Sequence, residues 1–184
     1  MGPSFFVALG SRFRGNDDYE DMNIRPERPG DEGAIAAVIE AAFLNAPHRD
    51  GTEASIVERL REAGALNISL VAEDAGELVG HIAFSPVTID GADLGWFGLG
   101  PVAVLPDRQG DGIGSRLIRS GLEMLRNEGA AGCVLVGEPA YYQRFGFQTV
   151  ARLAFPGIPP EYFQGLSFGG GMPSGTVAYH QAFG

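Results

Sequence analysis

Residues 99–136 constrain the fold more than any other part of the chain. The apolar run Leu99-Gly100-Pro101-Val102-Ala103-Val104-Leu105 meets the turn Pro106-Asp107-Arg108 and then the glycine-rich stretch Gln109-Gly110-Asp111-Gly112-Ile113-Gly114-Ser115. An amphipathic segment follows, with Ile113, Leu117, Ile118, Leu122 and Leu125 on one side and Arg116, Arg119, Glu123 and Arg126 on the other. The next run, Cys133-Val134-Leu135-Val136, has no polar face, so it needs burial on both sides. That requirement suits a central strand reached by a helical crossover, which is the connection that sets two strands parallel. The glycines let backbone N–H groups approach an anion. The first turn of the helix adds unsatisfied donors and the positive end of its dipole, so the stretch reads as a phosphate-holding loop.

The segments before this unit read as alternating structure of the ordinary kind. A short strand over residues 24–28 leads through Pro29-Gly30 to a helix with Asp31 at its N-cap and Ile35, Val38, Ile39 and Phe43 at helical spacing. A second helix over residues 52–63 carries Ile56, Val57 and Leu60 on one face and stops at Gly64. Strands over residues 69–73 and 78–87 flank the polar turn Asp74-Ala75-Gly76-Glu77, and a third spans residues 95–104. Past Phe147 the chain is rich in Gly and Pro, with Thr176-Val177-Ala178-Tyr179 alternating like a last strand. Residues 1–21 show neither period and are expected to be a disordered extension, with Met22 the natural start and residues 22–184 a single domain.

Composition removes several functions. With 13 basic and 23 acidic residues, the net charge of −10 argues against nucleic acid and anionic membrane as partners. All basic residues are arginines, since the sequence contains no lysine. That absence excludes a P-loop, a protein kinase and a pyridoxal enzyme, each of which needs a lysine. The lone Cys133 cannot form an internal disulfide and sits in an apolar run, so it reads as a buried small hydrophobe in a reducing, cytoplasmic protein. No apolar run approaches a membrane span, and His48 and His180 have no partners at metal-ligand spacing, so no metal site is expected.

As a dinucleotide fingerprint the loop fails: Gly110-x-Gly112 calls for a third glycine where Ser115 stands, although Glu138 lies near the end of the next strand. Read instead as Gln-x-x-Gly-x-Gly, Gln109, Gly112 and Gly114 resemble the pyrophosphate loop of the GCN5-related N-acetyltransferase (GNAT) family. The likeness runs from residue 23 to residue 147 in element order. It ends on a short helix with a tyrosine followed by Gly-Phe, here Tyr142-Gln143-Arg144-Phe145-Gly146-Phe147. Gly80-His81-Ile82-Ala83-Phe84-Ser85-Pro86-Val87, Pro139-Ala140-Tyr141-Tyr142 and Pro160-Glu161-Tyr162-Phe163 are similar to the bacterial YhbS-like branch.

The resemblance implies an α/β domain whose mixed, largely antiparallel sheet splays at its centre to admit acetyl-coenzyme A, with helices on both faces. It implies acetyl transfer from that cosubstrate to a primary amine of a small molecule or protein. Backbone groups of Val102, Ala103 and Val104 would pair with the pantetheine arm, and a strand N–H there would hold the thioester oxygen. Gln109 and the amides of Gly110, Asp111, Gly112, Ile113, Gly114 and Ser115 would hold the pyrophosphate, while Arg108, Arg116 and Arg119 lie around the loop and Arg144 would reach a phosphate or the adenine.

The transfer needs a proton for the leaving thiolate. Tyr142 is the candidate general acid, because a phenol with a reference pKa near 10 is protonated at neutral pH. Glu138 is a candidate acceptor-side base and His81 another, its reference pKa being near 6.5; a water relay from backbone carbonyls competes with both. Trp96 and Phe97 are candidates to line the acceptor cleft. A noncatalytic acyl-coenzyme A binding or sensing module keeps the loop without the chemistry. The acceptor's identity and the oligomeric state, a homodimer included, are not legible here.

Overall fold

The computed structural model describes residues 7–8, 22–46 and 51–184. In chain order the elements are β1 (Val7–Ala8), β2 (Asn23–Pro26), α1 (Glu32–Phe43), α2 (Glu53–Glu62), β3 (Ile68–Asp74), β4 (Glu77–Pro86), β5 (Thr88–Ile89) and β6 (Trp96–Val104). There follow α3 (Ile113–Asn127), β7 (Gly132–Val136), α4 (Pro139–Tyr142), β8 (Gln148–Thr149), β9 (Leu153–Ala154), β10 (Phe163–Ser167) and β11 (Gly175–Ala178). The main sheet has the order β2-β3-β4-β6-β7-β10-β8. Along that path only β6 and β7 run parallel, as the helical crossover through α3 requires. β5, β11 and β9 form a separate three-stranded sheet.

Local chemistry places these elements. Ala75 and Gly76 both have positive φ, 49° and 82°, the mirror-image turn that closes the β3–β4 hairpin. Asp31 does stand at the N-cap of α1, but its carboxylate makes no cap bond. It accepts instead from the Arg25 guanidinium at 2.7 Å and from the Arg28 N–H at 2.7 Å, tying the helix entry to β2. The apolar stripe of α3 packs on one sheet face with Ile82, Phe84, Leu99, Val102 and Val104. On the other face α1 and Val57 of α2 pack over Val71, Ala83 and Ala103. Ile56 and Leu60 of α2 join a third cluster with Trp96 of β6, Val134 and Val136 of β7, and Phe163 and Phe183.

The sheet opens between β6 and β7. These strands pair only through Trp96↔Gly132, Phe97↔Cys133 and Gly98↔Val134, after which they separate. The cause lies on the other edge of β6. From Ile82 to Phe84 on β4 the partner positions on β6 step from Val102 to Leu99, so β6 carries one extra residue. Such a bulge bends its strand and ends pairing, and it falls at Gly100-Pro101, residues suited to it by conformational freedom (Gly100 φ 146°) and by a missing N–H.

The sequence expectation treats residues 1–21 as disordered. Two of them, Val7 and Ala8, form β1, which pairs in parallel with Val102 and Ala103 on the β6 edge facing the opening. The remainder of that stretch lies outside the described residues.

Candidate active site

Three features spread over residues 102–142 lie at the opening where β6 and β7 diverge. Its first wall is the β6 edge at Val102, Ala103 and Val104, all at most 1% exposed, whose opposite edge is taken up by β4. Beside the end of β6 lies the glycine loop, locked to the strand by the Gln109 side-chain amide donating to the Val104 carbonyl at 3.0 Å. Gly110 and Gly112 have φ of 87° and 79°, left-handed values that let the loop turn back on itself into α3. Gly112 is the N-cap and supplies no side-chain cap, and the first helical bond runs from the Arg116 N–H to the Gly112 carbonyl at 3.1 Å. The N–H groups of Ile113, Gly114 and Ser115 therefore point out of the first turn of a fifteen-residue helix with no partner inside it.

The third feature is Tyr142 on α4. Its ring covers Gly137, where an added methyl would lie 2.3 Å from the ring, and packs edge-on to Tyr141 and Phe147. The residue is 1% exposed, yet its hydroxyl is enclosed with no hydrogen-bond partner. Burial raises its pKa well above 10, so the phenol keeps its proton. An enclosed hydroxyl without a partner is costly, and one held so beside an opening is a donor awaiting an acceptor.

The other expected residues are placed differently. Glu138 is exposed at the N-cap of α4, where its carbonyl accepts the Tyr141 and Tyr142 N–H groups. Arg144 is exposed and folds back, donating to the Tyr141 carbonyl at 2.9 Å with its guanidinium 4.4 Å from the Tyr141 ring centre. Arg108 is held by Asp74 at 2.7 Å and Asp111 at 3.4 Å, and Arg119 lies over the Phe145 ring. Trp96 is 3% exposed at the end where β6 and β7 stay paired, its indole against Gly132. A groove of about 430 Å³ between Trp96, Leu94, Phe168 and Met172 lies at that same closed end, away from Tyr142 and the loop.

His81 is fully enclosed on β4, under α1. Its Nε2 is 2.8 Å from the Ser69 hydroxyl, which donates to Glu27 at 2.5 Å. Because that hydroxyl gives its hydrogen to the carboxylate, it accepts from His81, which fixes the Nε2–H tautomer and leaves Nδ1 without a partner. Burial, aided by the Arg61 charge, lowers the His81 pKa to about 4 against the attraction of Glu27. Arg61 closes the network on Glu27 at 2.9 Å.

Glu53 is a residue the sequence reading passed over. It stands one position after the N-cap of α2 on the stripe shared with Ile56, Val57 and Leu60, is 3% exposed, and its Oε1 has no hydrogen-bond partner. The signal was present as an acidic residue at i relative to apolar i+3, i+4 and i+7, a charge in a core register.

Comparison with known proteins gives the family and the fold. The model of the acetyltransferase (GNAT) domain family matches residues 23–150. The chain belongs to the GNAT acetyltransferase family. It is 37% identical over 176 residues to the N-acetyltransferase YhbS of Escherichia coli K12, covering 88% of this chain and 98% of that one. A crystal structure of a GNAT acetyltransferase from Brucella melitensis in complex with acetyl-CoA is 55% identical, with a TM-score of 0.81 over 89% of this chain and 98% of that one. Escherichia coli YhbS in complex with CoA superposes with a TM-score of 0.80 at 36% identity, over 92% of this chain and 96% of that one. Among the described residues no helix is long and apolar enough to cross a membrane, and no group of three or more metal-ligating side chains occurs.

Proposed function

We propose that the chain transfers the acetyl group of acetyl-CoA to a primary amine by direct attack, with Tyr142 as general acid. The observation that carries this reading is the partnerless Tyr142 hydroxyl at the same opening as the β6 edge and the unfilled first turn of α3. These groups fit the ligand of the relatives' structures: a peptide-like arm for the strand edge, a diphosphate for the helix start, and a sulfur for the phenol. Bound acetyl-CoA would supply an activated acyl thioester.

The chain's own contributions are distinct. Val102 to Val104 hold the arm through backbone groups, and residues 109–115 neutralise the diphosphate with N–H dipoles rather than with cations, which suits a chain without lysine. Tyr142 delivers its proton to the departing thiolate. The proton lost by the amine leaves toward the exposed rim, where Glu138 and water receive it. Tyr142→Phe tests the acid role: kcat falls by about 10²-fold or more with acetyl-CoA affinity retained. Wild-type turnover by Tyr142→Phe at saturating amine would remove the phenol from the mechanism, and failure of the wild type to consume acetyl-CoA with any amine would favour the sensing alternative.

A further inference from the structure

We propose that Glu53 binds the acceptor, selecting primary amines that arrive as ammonium cations on an apolar stem; this rests on the acetyl-transfer reading above. The C-terminal end of α2 is fixed over the β2–β3 side of the sheet by Arg61–Glu27 and by the return of the chain into β3, where the Asn67 N–H donates to the Phe84 carbonyl. Eight residues earlier, about 12 Å along the axis, Glu53 occupies the opposite end of the helix. One turn along the same stripe, Ile56 shares a cluster with Val134 and Val136 of β7 and with Phe183. Glu53 is thereby set on the β6–β7 side, on the face opposite α3, so amine and coenzyme A would approach the opening from opposite faces.

That face has an aromatic floor. The Tyr179 ring lies over Gly98, the last β6 residue paired with β7, where an added methyl would be 2.2 Å from the ring. Its hydroxyl donates to the Val134 carbonyl at 3.4 Å, so the side chain spans the foot of the opening. Phe155 and Phe183 flank it with ring centres 5.2 and 5.1 Å away. A carboxylate oxygen enclosed without a donor costs stability unless a cation completes it, and aromatic faces favour the same charge. Carboxylate and aromatics together fit an arylalkyl or alkyl ammonium and disfavour an acidic amine; the bound ammonium gives one proton to water before its nitrogen attacks, and the second leaves as the amide forms.

Glu53→Gln keeps the volume and removes the charge. With phenethylamine, diaminobutane and glutamate as the acceptor panel, the variant should raise KM for the two cationic amines by at least about tenfold. Its kcat should stay within about threefold and its acetyl-CoA affinity should be unchanged. Ligand-free Glu53→Gln should also unfold about 2–4 °C higher, since it replaces an enclosed carboxylate whose Oε1 has no hydrogen-bond partner. An unchanged KM overturns the proposal, and so does a lower unfolding midpoint, which would make Glu53 a structural residue. If the wild type binds acetyl-CoA but acetylates nothing, the transfer reading fails by itself. The unfolding comparison needs no turnover and still decides the role of Glu53.

Discussion

Tyr142, His81 and Glu53 are three enclosed polar residues, each with an atom lacking a partner, and their surroundings give them different roles. Tyr142 keeps its proton because burial disfavours the phenolate and raises its pKa well above 10, so if it serves as the proposed general acid its rate contribution shows no alkaline fall near pH 10. His81 has the opposite consequence, for stability. Unfolded histidine binds its proton near pH 6.5, whereas folded His81 does so only near pH 4, so between those values the unfolded chain carries more protons. The contribution is fully present above about pH 6.5 and is lost as pH falls toward 4, amounting to roughly 3 kcal/mol. Urea unfolding of wild type and His81→Gln at pH 7, 5.5 and 4.5 checks it: the variant should lack this slope, and equal slopes would contradict the assignment. A sequence reading can name His81 as titratable but cannot see that Ser69 and Glu27 close around it, because those contacts join the residue after β2 to β3 and β4. Cys133 was legible, since an apolar run with no nearby cation makes an inert thiol, and burial does raise its pKa.

At the level of elements, α1, α2, β3, β4, α3 and β7 were readable from periodicity because each buries one stripe or both faces. β10 was not: Phe163-Gln164-Gly165-Leu166-Ser167 has a weak alternation broken by glycine, and its place between β7 and β8 comes from tertiary pairing. The bulge in β6 was written in Gly100-Pro101, a glycine and a proline inside an otherwise strand-like run, and it is the bulge that turns a continuous sheet into an open one. β1 adds a testable consequence. Its pairing with Val102 and Ala103 uses the β6 edge proposed to hold the pantetheine arm, so on that proposal acetyl-CoA would displace it. Ala8→Pro removes a backbone donor from β1. Losing about 1 kcal/mol of competing pairing should tighten the acetyl-CoA Kd by about threefold to tenfold, measured on full-length chains. Equal Kd values would mean that β1 does not hold the edge in solution.

Across the whole molecule, helices on both faces of a mixed sheet flank the opening made by the β6 bulge, and the proposed cofactor side lies at α3 and the proposed acceptor side at α2. The glycine loop and the start of α3 were legible because a local glycine pattern sets them. The proposed acceptor side was not, because it draws on the start of α2, the foot of the opening and Phe155, Tyr179 and Phe183 near the end of the chain. Net charge of −10 disfavours anionic ligands at long range, so on the proposed reading coenzyme A is anchored by the local field of residues 109–115. The direct measurement is isothermal titration calorimetry of the full chain with acetyl-CoA, CoA and NAD. Saturable binding of acetyl-CoA and CoA at one site per chain, weakened at least tenfold when Gly112→Val strains the left-handed turn at φ 79°, is the predicted result; no uptake of either, or NAD binding as tightly, would contradict it.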